Sequence, residues 1–291
     1  MERLEIFQEY RPLLFGLAYR MLGSITEAED MMQEAWIRWQ ASSTVAKTPK
    51  AFLCTLMTRL CIDRLRYLQR EREKYIGIWL PEPLVTQSDR LETLESVSYA
   101  FLVLLECLEP TARAVFVLRE VFDYEYVQIA KIVDKTIPNC RQIFHRARKS
   151  ILANQSQLNL SHNKQNLLIE QFLVAWDRGD LDRLLNLMAE DAAFYADGGG
   201  KVTASQKPLY GQIKIARFLL ALKRSRLIPD FNSQTALVND RLGIINLIDN
   251  KAQSVFSFNF VEHKIKTIFA VVNPDKLKID RRLLYLQLDR L

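Results

Sequence analysis

The spacing of apolar residues changes once along this chain, and that change constrains the fold more than any other feature. Up to about residue 152 apolar side chains recur at helical intervals, and beyond about residue 190 they alternate as in strands. Glu5–Met21 carries Ile6, Leu13, Leu14, Leu17, Ala18 and Met21 on a helical stripe. Ser24 or Thr26 is placed to cap a second helix that holds Met31, Met32, Ala35, Trp36 and Trp39. Pro49 opens a long helix to about Arg72, with Phe52, Leu53, Leu56, Leu60 and Leu65 inward. The stretch YIGIWLPEPL (75–84) breaks the pattern with a glycine and two prolines, and Trp79 looks exposed there. Helices resume to about Leu152, and a polar stretch, 154–163, follows.

The second half then reads as helices Lys164–Arg178, Asp180–Met188 and Gln212–Lys223 among strands Ala192–Ala196, Val202–Ser205, Thr235–Val238, Gly243–Ile248, Ser254–Val261 and Ile265–Val272. Asp249-Asn250 and Glu262-His263 suit hairpin turns. The expected fold is multidomain: two all-α modules, then an α+β domain with a curved antiparallel sheet over helices. The expected divisions are an α module at 1–74, a linker at 75–95, a second α module at 96–153, a linker at 154–163, the α+β domain at 164–277 and a leucine-rich tail at 278–291. The five leucines of the tail are expected to bury against this chain or a neighbour.

Net charge misleads here. The chain is +6 overall, but residues 1–153 hold 21 basic and 20 acidic residues, against 19 and 14 in the remainder. Local clustering therefore carries the information. The strongest cluster is TIPNCRQIFHRARK (136–149), whose charged residues are all basic. Cys140, Ile143, Ala147 and Ile151 form its apolar stripe, which leaves Asn139, Arg141, Gln142, His145, Arg146, Arg148 and Lys149 for other faces. A short amphipathic helix, Tyr124–Val133, and a tight break at Asp134–Lys135 precede it. Two short helices about a tight turn, the second basic and amide-bearing, form a DNA-reading helix-turn-helix. Arginine forks onto guanine and Asn or Gln pairs with adenine, while other basic groups hold phosphates. Pro138 is tolerated only in a first helical turn, so the reading helix is expected to start at or just after Ile137.

Cys54, Cys61, Cys107 and Cys140 show no metal-ligand spacing, and each is expected to be a buried thiol in a reducing cytoplasm. No apolar run is long enough to span a membrane, and no signal-like start is present, so no membrane association is expected. No metal or cofactor is expected either.

EAEDMMQEAWIRWQ (27–40), KAFLCTLMTRLCIDRLR (50–66) and the stretch from Thr111 to Leu152 resemble regions two and four of bacterial sigma-70-type factors, in the small form of the extracytoplasmic-function (ECF) group. WLPEPL (79–84), DGGGK (197–201) and NPDKL (273–277) resemble the subgroup with a SnoaL-like C-terminal extension. The resemblance implies a factor that directs core RNA polymerase to promoter DNA. It implies that Asp30, Gln33, Glu34 and Arg38 face the polymerase. It implies that Thr55, Arg59, Asp63, Arg66 and Arg70 meet the minus-ten element, with Phe52 either a wedge or core. The helix-turn-helix then reads the minus-thirty-five element. Arg59 departs from the small polar residue expected at its position.

The two linker and domain motifs, Trp79, Leu80 and Pro81 with Asp197, Gly198, Gly199, Gly200 and Lys201, are expected to meet in an intramolecular regulatory contact. Asn273, Pro274, Asp275 and Lys276 are expected to join them. Relatives of the SnoaL-like fold include enzymes with a pocket Asp or His, and Asp197 and His263 are the candidates. A flexible turn is an equal reading of Asp197, and no catalytic residue is assigned. The rival readings are a C-terminal domain that senses a small ligand or is an enzyme, and a helix-turn-helix regulator that does not contact polymerase.

Overall fold

The computed structural model describes residues 3–42, 48–86, 97–154, 161–225 and 231–279. Most of the second half of the expected 75–95 linker, much of the 154–163 linker and all but the first two residues of the tail lie outside the described residues. The chain forms two compact units. One is built from described residues of Met1–Lys74, Glu92–Val97 and Phe101–Gln155, the other from those of Tyr75–Leu91, Ser98–Ala100 and Ser156–Leu291.

In the helical unit, α1 (Arg3–Leu22), α2 (Ile25–Ala41) and α3 (Pro49–Arg72) form a bundle. Ser24, rather than Thr26, caps α2 by accepting from the Glu27 amide at 3.3 Å. Leu14, Leu17, Met21, Leu53, Met57 and Leu65 are sealed from water, each such burial being worth about 1.5–3 kcal/mol. Phe52 lies against Trp39 at 5.2 Å between ring centroids. Tyr99–Leu105 forms α4, whose residues from Phe101 onward belong to this unit. It is followed by α5 (Pro110–Glu120), α6 (Tyr126–Val133) and α7 (Ile137–Asn154). The α6 helix starts two residues later than its apolar pattern suggests. Asp123 takes a left-handed φ of 52°, and Glu125 caps the helix in a reciprocal box with Gln128. Arg113, 1% exposed, is held by Glu106 at 2.6 Å and by the Arg20 carbonyl at 2.8 Å. Glu106 also pairs with Arg72, so one carboxylate ties α3 to α5.

The α+β unit contains α8 (His162–Arg178), α9 (Leu181–Leu187) and α10 (Gln212–Ser225). Its strands are β1 (Val85–Thr86), β2 (Met188–Asp197), β3 (Leu209–Tyr210), β4 (Asn232–Val238), β5 (Arg241–Ile248), β6 (Lys251–Val261) and β7 (Lys264–Val271). They form one sheet in the order β1-β4-β5-β6-β7-β2-β3. Residue pairs with φ between 45° and 68° make the three hairpin turns, Asn239-Asp240, Asp249-Asn250 and Glu262-His263. The core joins Phe172 and Trp176 of α8 to Phe194, Phe256 and Phe260, and the Trp176 indole donates to the Leu219 carbonyl at 3.0 Å.

Two sequence expectations need correction. The sheet is mixed, because β2 and β7 run parallel while every other pairing among the described residues is antiparallel. Strand alternation reports which face is buried and not the direction of a distant partner. Val202–Ser205 is not a strand. The Lys201 amide closes a turn onto the Gly198 carbonyl at 3.0 Å, and the chain re-enters the sheet only at β3.

Candidate nucleic-acid interface and linker-binding site

The helix-turn-helix is built from local chemistry. Asp134 ends α6 in the left-handed region, φ 53° and ψ 57°, where a short polar side chain is tolerated. The Lys135 amide bonds back to the Ala130 carbonyl at 3.0 Å, and the Thr136 carbonyl accepts the Cys140 amide at 2.9 Å to start α7. Pro138 falls in the first turn, where its missing N–H has no consequence. Cys140, Ala147 and Ile151 are buried, and Phe144 stacks on Phe116 at 5.8 Å. Asn139, Arg141, Gln142, His145, Arg146, Arg148 and Lys149 are all exposed. The exposed Arg141 guanidinium lies 5.6 Å from the Tyr126 ring centroid, within cation–π range.

The α3 residues divide. Asp63, Arg66 and Arg70 are exposed, with Arg66 paired to Asp63 at 3.1 Å. Thr55 turns its hydroxyl back to the Ala51 carbonyl at 2.7 Å. Arg59 donates to the Ile132 and Lys131 carbonyls, each at 2.9 Å. Those carbonyls close α6, so Arg59 caps the first helix of the helix-turn-helix. On α2, Asp30, Gln33 and Arg38 are exposed and Glu34, half-buried, holds Arg38 at 2.6 Å. Ile37, 58% exposed, sits among them, an apolar residue that its neighbours' charge pattern did not single out.

In the α+β unit the residues 75–86 are part of the fold. Leu80 and Glu82 are buried, Trp79 is half-buried, and β1 extends the sheet by pairing Val85 with Val238. The reading of this stretch as a linker with an exposed tryptophan is corrected accordingly. Asp197 ends β2 fully buried and organises the segment. Its carboxylate accepts from the Tyr75 hydroxyl at 2.5 Å, the Leu80 amide at 2.8 Å and the Lys276 ammonium at 2.7 Å. Lys276 also donates to the Leu80 carbonyl at 2.5 Å and lies 4.1 Å from the Trp79 ring centroid. Asn273 donates to the Tyr75 oxygen at 3.0 Å and accepts from the Asp275 amide at 3.1 Å, which caps the single turn Pro274–Lys276. Burial first, and then the Asp197 carboxylate, push the Tyr75 phenol above its ordinary value.

Glycine is required at the turn for two reasons. Gly199 and Gly200 have φ of 60° and 70°. A Cβ on Gly199 would stand 2.3 Å from the Asn273 amide nitrogen, and one on Gly200 would stand 3.0 Å from Ile76. Gly198 is equally confined, by the Val202 carbonyl. Lys201 pairs with Asp275 at 2.5 Å on the surface, and Pro81 lends its carbonyl to the Tyr99 hydroxyl at 2.7 Å. The three motifs thus converge on one carboxylate. Tyr75 is the participant that sequence reasoning missed, since a lone tyrosine in a break carries no spacing signal.

His263 occupies the exposed turn that opens β7, whereas Asp197 pairs with Val271 at its far end. Strand rise puts roughly 20–25 Å between them, so they do not form one site. Cys54, Cys61 and Cys140 are buried as expected, but Cys107 lies beyond the end of α4 and is exposed. Among the described residues no group of acidic, Cys or His side chains is arranged to hold a metal. Among them, too, no helix is long and apolar enough to cross a membrane.

This pairing of a helical bundle and a helix-turn-helix in one unit is the architecture of a promoter-recognition factor. Residues 6–71 match the family model for sigma-70 region 2, and residues 98–151 match that for sigma-70 region 4. The chain is 33% identical to the ECF RNA polymerase sigma factor SigJ of Mycobacterium tuberculosis, over 93% of this chain and 91% of that one. It is 34% identical to the probable ECF sigma factor SigI of the same organism, over 62% and 65%. The crystal structure of the M. tuberculosis SigJ superposes with a TM-score of 0.77, at 31% identity, over 94% of this chain and 97% of that one. The chain belongs to the ECF RNA polymerase sigma factors.

Proposed function

We propose that this ECF sigma factor confers promoter specificity on core RNA polymerase through three helices, and that its α+β unit regulates it by holding residues 75–86. The observation that carries the reading is α7. Seven donor-rich side chains are exposed on a helix anchored by Cys140, Ala147 and Ile151, in a chain that matches both sigma modules. In this reading α7 reads the minus-thirty-five element, Asp63, Arg66 and Arg70 of α3 meet the minus-ten element, and Asp30, Gln33, Glu34, Ile37 and Arg38 of α2 dock on the polymerase. Arg59 joins the DNA contacts only after it leaves the Lys131 and Ile132 carbonyls, so promoter engagement separates α3 from α6. The factor works in the cytoplasm.

The α+β unit takes the place of a diffusible anti-sigma protein, at the high effective concentration that covalent attachment gives. It makes no covalent chemistry of its own. Support comes from Asp197, whose oxygens are engaged by three donors, and from the distance to His263. Run-off transcription with core polymerase tests the function. A promoter-specific transcript that requires the chain is the expected result. A chain that retards promoter DNA yet yields no transcript is a helix-turn-helix regulator instead.

A further inference from the structure

Away from the Asp197 carboxylate, the α+β unit has a partly open cavity of about 210 Å³. The first turn of α8 contributes His162 and Gln165, the start of β5 contributes Arg241 and Leu242, and β6 contributes Phe258 and Asn259. Arg241 and His162 are in direct contact through Nη1 and Nε2. A guanidinium only donates, so Nε2 is the acceptor in this contact. Among the described residues no carboxylate forms an ion pair with Arg241. The acidic influence on it is Asp240, its neighbour in the turn, which offsets the destabilising effect of burial on the guanidinium without overcoming it.

The α8 helix runs 17 residues, has no acid in its first turn, and receives no side-chain cap bond from Ser161, so its positive end adds to the same corner. The cavity therefore has a cationic end and an apolar wall of Leu242 and Phe258. A planar guanidinium matches a carboxylate in two parallel hydrogen bonds, and the modest volume suits a short or monocyclic body.

We propose that this cavity binds a small organic carboxylate, anchored on Arg241, with His162 and Asn259 as further polar contacts. The site is independent of the sigma function argued above.

The chain has three histidines, His145, His162 and His263, so side-chain spectra of the histidine-labelled intact protein report on the cavity directly. Sodium benzoate is expected to move the His162 resonances and leave the other two in place, and neutral benzamide to move none. Arg241→Met is expected to weaken benzoate binding by at least about tenfold, as loss of a bidentate charge-assisted pair requires. Ser257 of β6 also lines the cavity, so Ser257→Leu, which narrows it, is expected to do the same and serves if the arginine variant does not fold. Unmoved His162 resonances at millimolar benzoate would overturn the proposal. So would equal responses to benzamide and benzoate, or unchanged affinity in the folded variants. A response to inorganic phosphate without one to benzoate would overturn the organic-acid assignment.

Discussion

Asp197 shows how much one side chain can organise. It is fully buried, and three donors from Tyr75, Leu80 and Lys276 converge on its two oxygens. Removing one member of such a pair strands the other charge away from water, which costs about 3–5 kcal/mol. Asp197→Ala is therefore expected to lower the stability of the α+β unit by about that amount in urea denaturation, and Asp197→Ala with Lys276→Met to recover part of the loss. Equal losses in the single and double variants would mean that the Lys276 charge is indifferent to its partner. On α7 the expectation is about specificity. Gln142→Ala should relax preference at one or two base pairs, by about 1–3 kcal/mol if the contact is bidentate. Lys149→Ala should weaken all sequences alike and reduce the salt slope by about one. A mobility-shift series on matched and mismatched sites separates the two. At this scale the sequence was legible where a motif named the residue, as with Asp197 and the basic face of α7. Arg59 was legible as a surface cation but not as a cap on α6, because its carbonyl partners lie 72 and 73 residues away.

At the scale of elements, helical spacing located α1, α2, α3 and α7 because each buries one continuous stripe against its neighbours. Strand pairing was less legible. The β2–β7 pairing joins strands some 75 residues apart in sequence, as the register Phe194 with Ile268 illustrates, and alternation carries no record of it. The residues 75–86 misled for a related reason. Proline and glycine mark a break in helix, yet the segment is ordered by tertiary bonds: Leu80 to Asp197, and Leu84 to Asn239 at 3.1 Å. Gly199 tests this packing. Gly199→Ala places a Cβ against Asn273 in a left-handed backbone where a non-glycine residue costs about 1–2 kcal/mol before any clash. Hydrogen exchange at the Leu80 amide should accelerate in that variant, while exchange in α7 stays unchanged. A Leu80 amide as protected as in the parent protein would show that the turn does not hold the segment.

At the scale of the whole molecule, the chain joins two sigma modules to a unit that retains the chain segment following the first. The composition gave little warning of this, since the basic excess lies in the second half and the DNA-reading half is nearly neutral. The central claim is that the hold on residues 75–86 through Asp197 governs promoter use. Run-off transcription with core polymerase, comparing the intact chain, Asp197→Ala and a chain ended at residue 153, tests it most directly. Folding of each is confirmed by circular dichroism. A promoter-specific transcript is expected from the intact chain, with a change of at least severalfold, in the same direction, for Asp197→Ala and the truncation. Transcript levels from both altered chains equal to that of the intact chain would contradict it.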